Sequence, residues 1–143
     1  MDYEAVGDAV ANWAFSTVGG GWINLRKEEH PALPPDEVNQ AWLAVGVTPT
    51  TVDDDTMGGT RERFATAAFV IGVPHKDFRM LSQACDNLVD NIGRDTNNES
   101  GWPEGVSSSE VTLESDVDDF DFETQPENWR MIAMTATLRW YRR

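Results

Sequence analysis

Residues 61–93 read RERFATAAFVIGVPHKDFRMLSQACDNLVDNIG, and this stretch decides the fold. Its first part, residues 64–73, is rich in aromatic and β-branched side chains and is largely apolar on both faces. That composition is typical of a strand in the middle of a sheet, which needs cover on both sides. Pro74 ends the strand, because proline has no N–H to donate to a neighbouring strand.

An amphipathic helix follows this strand directly. Its apolar residues recur every three or four positions, with polar residues between them, at Phe78, Leu81, Cys85, Leu88, Val89 and Ile92. Gly93 then stands where a glycine commonly ends a helix. The stretch therefore predicts a central strand followed by the helix that covers it.

The residues before this pair predict one helix and two strands. Asp2 is a suitable cap for a first helix, which ends at the glycines of residues 19–21. Residues 22–26 predict a short strand, and the proline-rich residues after it predict a loop or an extended arm. Residues 40–48 predict a second strand, joined to the central strand as a long hairpin with Gly58 and Gly59 at the reversal.

The residues after the central helix predict a second hairpin. A strand begins at Glu110, an acidic stretch follows, and residues 129–142 form a long closing strand. The predicted fold class is α+β, with a mainly antiparallel sheet of four to five strands and two helices packed on one face. Residues 1–143 are expected to form a single domain.

The charge of the chain limits the classes of partner. A net charge of -14 and a pI near 4.3 exclude general binding of nucleic acid through a basic face, because phosphates would be repelled. Only Lys27 and Lys76 are lysines, and the other nine bases are arginines. An acid excess with so little lysine suggests a protein made in concentrated salt, where charge repulsion is screened. An ordinary acidic protein is the alternative.

The sequence gives little indication of a catalytic centre. Cys85 is the single cysteine and falls on the apolar side of the central helix, so we expect a small buried hydrophobe and no catalytic thiol. His30 and His75 lack ligands at zinc spacing, and no cofactor is expected. Since no signal peptide or membrane span is apparent, we expect the protein in the cytoplasm or in a particle assembled there.

Two acidic clusters are the strongest candidates for a metal-binding or catalytic site. They comprise Asp53, Asp54 and Asp55 in one hairpin tip, and Asp116, Asp118, Asp119 and Asp121 in another. The second cluster lacks the glycine that a calcium-binding EF-hand loop needs at its sixth position. Solvated acidic loops are the favoured interpretation, and a two-metal enzyme site is the alternative.

Aromatic and basic residues give the candidates for a subunit interface. Four of the six tryptophans, Trp13, Trp42, Trp129 and Trp140, fall on apolar faces and are predicted to be core. Trp22 and Trp102 lie beside glycines at element ends, so of the six tryptophans they are the candidates for exposed residues that mark an interface. The full candidate set adds the arm around Leu33 and the strand-end arginines, namely Arg61, Arg63, Arg139, Arg142 and Arg143.

The order of elements resembles the tail terminator, or tail completion, proteins of tailed viruses. The resemblance is carried by the GDAVANWAF helix, the QAWLAVGV and RERFATAAFVIGV strands, the FRMLSQACDNLVDNI helix and the NWRMIAMTATLRWYRR strand. It covers nearly the whole chain. The chain departs from the family in its tight VPHKDF junction and in its long acidic stretch at residues 114–127.

This resemblance implies a structural virion protein that is not an enzyme. It implies a homo-oligomeric ring, with six copies at the head-proximal end of the tail tube, that ends tail growth and joins the tail to the head connector. Its partners would be the tail-tube protein and a connector or adaptor protein, and DNA would pass through the lumen without specific binding. The scarcity of lysine would fit a virus of a halophilic archaeon.

Two alternatives remain at this stage. Another neck or head-completion adaptor would share the virion location but differ in position or symmetry. A metal-dependent enzyme would use the two acidic clusters, and chelation would abolish its activity.

Overall fold

The computed structural model describes residues 2–19, 22–26, 41–53, 61–74, 78–94, 101–115 and 129–142. Within these residues the chain forms two helices and five strands. In chain order they are α1 (Tyr3–Val18), β1 (Ile23–Arg26), β2 (Trp42–Asp53), β3 (Arg61–Pro74), α2 (Phe78–Asn91), β4 (Ser107–Ser115) and β5 (Trp129–Arg142).

The five strands form one sheet in the order β1-β2-β3-β5-β4, so β3 is its central strand, as predicted. The β2–β3 and β4–β5 pairs are antiparallel, which confirms both hairpins. The β3–β5 pair is also antiparallel, whereas β1 pairs with β2 in parallel. The mainly antiparallel α+β class is therefore confirmed, with one parallel edge strand in addition.

The strands β2, β3 and β4 are longer than the hydrophobic pattern predicts, and β3 begins at Arg61 where the apolar run begins at Phe64. After an irregularity between Pro49 and Val52, β2 continues pairing with β3 as far as Asp53 opposite Glu62. β4 begins at Ser107, where the serine hydroxyl donates to the carbonyl oxygen of Arg139 at 3.2 Å. Polar residues can extend a ladder because the backbone makes the pairing bonds whatever the side chain is.

Both helices pack on the same face of the sheet, as predicted. The apolar sides of α1 and α2 meet the inward residues of β2, β3 and β5 in one core. Asp2 caps α1 by accepting a hydrogen bond from the backbone N–H of Ala5 at 2.8 Å, and Gly93 follows α2 with a φ of +73°. Both end signals in the sequence are therefore confirmed.

The opposite face of the sheet carries a smaller apolar cluster. It consists of Trp42, Ala44, Val70 and Ala133, with Ile23 and Met131 packed against it. Gly72 lies directly beneath the Trp42 ring, where a β-carbon would come within 2.3 Å of the indole. The central strand is thus buried on both faces at this end, by helices on one side and by this cluster on the other.

Several predicted features lie outside the described residues. They are the arm with His30 and Leu33, the turn with Gly58 and Gly59, His75, Asp54 and Asp55, the cluster Asp116, Asp118, Asp119 and Asp121, Arg143, and the side chains of Asp53, Arg61, Trp129 and Arg142. In the part of the chain that is described, neither helix has the length and apolar character needed to cross a membrane.

Candidate subunit interface

Four of the candidate arginines lie at one end of the sheet. Antiparallel pairing of β3 with β5 places Arg61 directly opposite Arg142, Arg63 opposite Trp140, and Phe64 opposite Arg139. Arg61, Arg63, Arg139 and Arg142 are called here the arginine end. These residues are far apart in the sequence, and the sheet register brings them together.

Arg63 is held against its own subunit. Its guanidinium carbon lies 5.0 Å from the centre of the Tyr3 ring, and Tyr3 in turn meets Trp140 edge-on at 5.2 Å. The Arg63 Nε is buried and has no hydrogen-bond partner. The cation–π contact thus attaches the start of α1 to the start of β3, and it contributes about 0.5–1 kcal/mol at partly exposed sites.

Arg139 also has a partner within the chain. Its Nε lies 3.2 Å from Oε1 of Glu62 on the neighbouring strand, and the arginine side chain is 52% exposed. An ion pair this exposed contributes about 0–1 kcal/mol. Arg139 is therefore partly neutralised before any second subunit approaches.

The remaining pair, Arg61 and Arg142, occupies directly opposed positions in the backbone register of β3 and β5, and the two side chains lie outside the described residues. Asp53, the one described residue of the first acidic cluster, ends β2 at this same end of the sheet, in register with Glu62. The backbone of Asp53 therefore lies at the same end of the sheet as the arginine end, within one copy.

The expectation that Trp22 and Trp102 are exposed is wrong. Trp102 is only 2% exposed, its Nε1–H donates to the carbonyl oxygen of Val106 at 2.7 Å, and its ring packs edge-on against Trp13 at 4.8 Å. Trp22 is 9% exposed and belongs to the same core. Both rings are buried within their own subunit, so neither tryptophan is available for a subunit contact.

Three of the four tryptophans predicted to be core agree with the structure, and the side chain of the fourth, Trp129, lies outside the described residues. Trp13, Trp42 and Trp140 are buried. Trp13 also meets Phe69 edge-on at 5.9 Å, so one aromatic cluster joins α1, β3 and the segment before β4. Edge-on pairs of this kind add about 0.5–1.5 kcal/mol beyond the area they bury.

Cys85 is a buried free thiol, as predicted. Burial raises the pKa of the Cys85 thiol above its ordinary value of 9.0, and the negative charge of Asp86 raises it further. Because the thiolate is the nucleophilic form, both effects make this cysteine unreactive.

Sequence reasoning missed one surface, which is the outer strand β4. Val111 is 37% exposed and Leu113 is 54% exposed, and both lie on a strand that ends the sheet. The alternation of Val111, Thr112, Leu113 and Glu114 could have revealed an apolar row, but only the fold shows that neither α1 nor α2 covers it.

No group of three or more histidine, cysteine, aspartate or glutamate side chains able to hold a metal ion comes together among the described residues. No known protein family matches this sequence, and none of the curated proteins compared with it is similar enough to count as a relative.

Proposed function

We propose that this protein is a structural subunit of a tailed virus, with no catalytic role. Six copies form a ring at the head-proximal end of the tail tube, end the growth of the tail and join it to the head connector. The partners are further copies of the chain, the tail-tube protein and a connector or adaptor protein, and DNA passes through the lumen. The protein is assembled in the host cytoplasm and then resides in the virion.

The observation that carries this proposal is the order of elements in one small domain. A helix and a short strand precede a long hairpin, a helix follows the hairpin after a short junction, and a second hairpin closes the sheet. This order is the one on which the resemblance to tail terminator proteins rests. A fold by itself does not define a function, so the proposal depends on the assembly that the chain forms.

The charge of the chain supports a conduit for DNA. A lumen lined with carboxylates repels phosphates and so lets DNA pass without holding it. At the arginine end, the opposed residues Arg61 and Arg142 would gain from a carboxylate supplied by a neighbouring copy. A contact of this kind joins different surfaces of two copies, which is what a closed ring requires.

Electron microscopy of the purified protein, alone and with the tail-tube protein, tests the proposal. We expect rings of six copies that bind one end of the tube and stop its growth. Particles that bind only the head connector would favour the neck-adaptor alternative. A protein that forms no ring and binds no tube under any salt condition would contradict the proposed function.

A further inference from the structure

The outer edge of β4 is unpaired among the described strands, because β4 is the last strand of the sheet. Its residues read SSSEVTLES, with no lysine or proline to protect the edge. Two of the four large apolar side chains that are exposed in the described residues, Val111 and Leu113, belong to this one strand. An exposed edge with apolar side chains is a surface to which another strand can add.

A bulge divides β4 and determines which way its residues face. Ser109 pairs with Thr137 and Thr112 pairs with Thr135, so two residues, Glu110 and Val111, stand opposite one residue of β5. Glu110 has a φ of +52°, the left-handed conformation found at the first position of one bulge type, and its carboxylate accepts a hydrogen bond from the Thr137 hydroxyl at 3.2 Å. The strand is regular from Val111 to its end.

Alternation then places the two apolar residues together. Leu113 pairs with the core residue Met134, so Leu113 and Val111 lie on the helix-covered face of the sheet, beyond the reach of the helices. Thr112 and Glu114 lie on the opposite face, where the Thr112 hydroxyl bonds that of Thr135 at 2.6 Å. The edge thus has an apolar side and a polar side.

We propose that β4 pairs with β4 of a second copy, antiparallel and about a two-fold axis at Thr112. In this register Val111 of each copy stands opposite Leu113 of the other, on the face where both are now exposed. Thr112 stands opposite its own symmetry mate, which is a favourable pair in sheets. The three residues at the centre of the strand are therefore complementary to themselves, and two five-stranded sheets join into one of ten strands.

The same register opposes two charges of the same sign. Glu110 of each copy stands near Glu114 of the other, so two like-charge pairs flank the apolar contact. Repulsion between these carboxylates weakens the dimer at about 0.1 M salt and is largely screened above about 1 M. A contact of roughly five residues per copy is smaller than the roughly 1,200 Å² of a standard stable interface, so the dimer is reversible and depends on protein concentration.

This contact differs from the one that the proposed ring needs. A two-fold contact joins identical surfaces and stops at two copies, whereas a ring is built from contacts between different surfaces. Rings can therefore form whether or not β4 pairs, and β4 can pair in a protein that forms no ring.

Charge variants of β4 test the register by sedimentation equilibrium. E114K places a cation opposite Glu110 of the second copy and turns two repulsive pairs into attractive ones, so we expect about a tenfold tighter dimer at ~0.1 M salt. The salt dependence should also reverse, with E114K associating less as salt rises. The matched control is E104K, which makes the same change of charge at an exposed turn residue outside β4 and should have a much smaller effect.

Apolar variants test the contact itself. V111K should abolish the dimer at high salt, because a lysine on the edge cannot be buried in the pair. V89K, which changes an α2 residue of the same 37% exposure, should leave it intact. A wild-type protein that never dimerises through β4 at any salt, or equal behaviour of E114K and E104K, would overturn this inference. The proposed function would survive such a result if V111K still formed rings. In that case, an E114K protein that dimerised no more tightly than the wild type would overturn only the pairing of β4.

Discussion

Gly72 of β3 has no room for a side chain, because the Trp42 ring occupies the space that a β-carbon would need. Gly72→Ala would force the indole out of the cluster that covers this face of the sheet. We expect a loss of about 1–3 kcal/mol in the free energy of unfolding, the usual range for an overpacked core. Urea unfolding followed by tryptophan fluorescence measures it.

Gly7 of α1 is the matched control for this prediction. A β-carbon there would lie 3.7 Å from that of Val47, which is ordinary van der Waals contact. Gly7→Ala should therefore stabilise the protein by about 0.5–1 kcal/mol, since alanine favours the helix. If both variants were destabilised equally, the close approach of Trp42 to Gly72 would not be the cause.

Cys85 should be chemically inert in the folded protein. Burial raises its pKa, so we expect labelling by a thiol reagent to be at least about tenfold slower than in the unfolded chain. Because the folded pKa exceeds the ordinary value of 9.0, the stability from this group is fully present below pH 9 and is lost as the pH rises through the folded pKa. Rapid labelling of the native protein, with loss of assembly, would contradict this view, whereas Cys85→Ala should assemble normally.

Individual residues were predictable where a local rule determines them. Asp2 and Gly93 are examples, because capping depends on the few residues around a helix end. Trp22 and Trp102 were not predictable from their glycine neighbours. Their burial depends on residues distant in sequence, such as Trp13 against Trp102.

At the scale of elements, α2 is expected to be held mainly by its apolar side. Leu81 and Leu88 are both fully buried in the core between α2 and the sheet. Leu81→Ala or Leu88→Ala should each cost about 2–5 kcal/mol, because each leaves a cavity. The exposed Gln83→Ala is the control and should change stability by less than about 0.5 kcal/mol. Losses below that value at both leucines would show that the helix is not packed there.

The elements were largely predictable because their hydrophobic periods are strong. The apolar spacing of α2 indicates a helix, and the continuous apolar run of β3, which ends at a proline, indicates a buried strand. The parallel pairing of β1 with β2 was not predictable, because a four-residue strand carries no information on its partner. The bulge at Glu110 was not predictable either, because glycine, not glutamate, is the residue expected at a positive φ.

At the scale of the whole molecule, assembly should depend on salt. Each copy has a net charge of -14, so a ring of six copies has a total net charge of about -84. The repulsion between the copies must therefore be screened. We expect analytical ultracentrifugation to show larger assemblies between about 1 M and 3 M salt than at ~0.1 M, as the Debye length shrinks from ~10 Å to ~3 Å or less.

Variants of the arginine end give this prediction a control. Arg142→Glu should weaken the ring at every salt concentration, whereas Arg79→Glu, at an exposed position of α2, makes the same change of charge elsewhere. A chain that stays monomeric throughout, alone and with the tail-tube protein, would contradict the ring. If the protein had an enzymatic activity that was lost when metal ions were chelated, the metal-dependent enzyme would become the favoured alternative.

The sheet order also determines when the molecule can be completed during synthesis. β3 gains its first neighbour from the adjacent hairpin with β2, but its second neighbour, β5, does not begin until residue 129. Until those residues leave the ribosome, one edge of the most apolar strand in the chain has no partner. A nascent chain in that state is prone to aggregate, because long-range strand pairing is slow. We therefore expect chaperone dependence during translation to fall sharply once β5 has emerged.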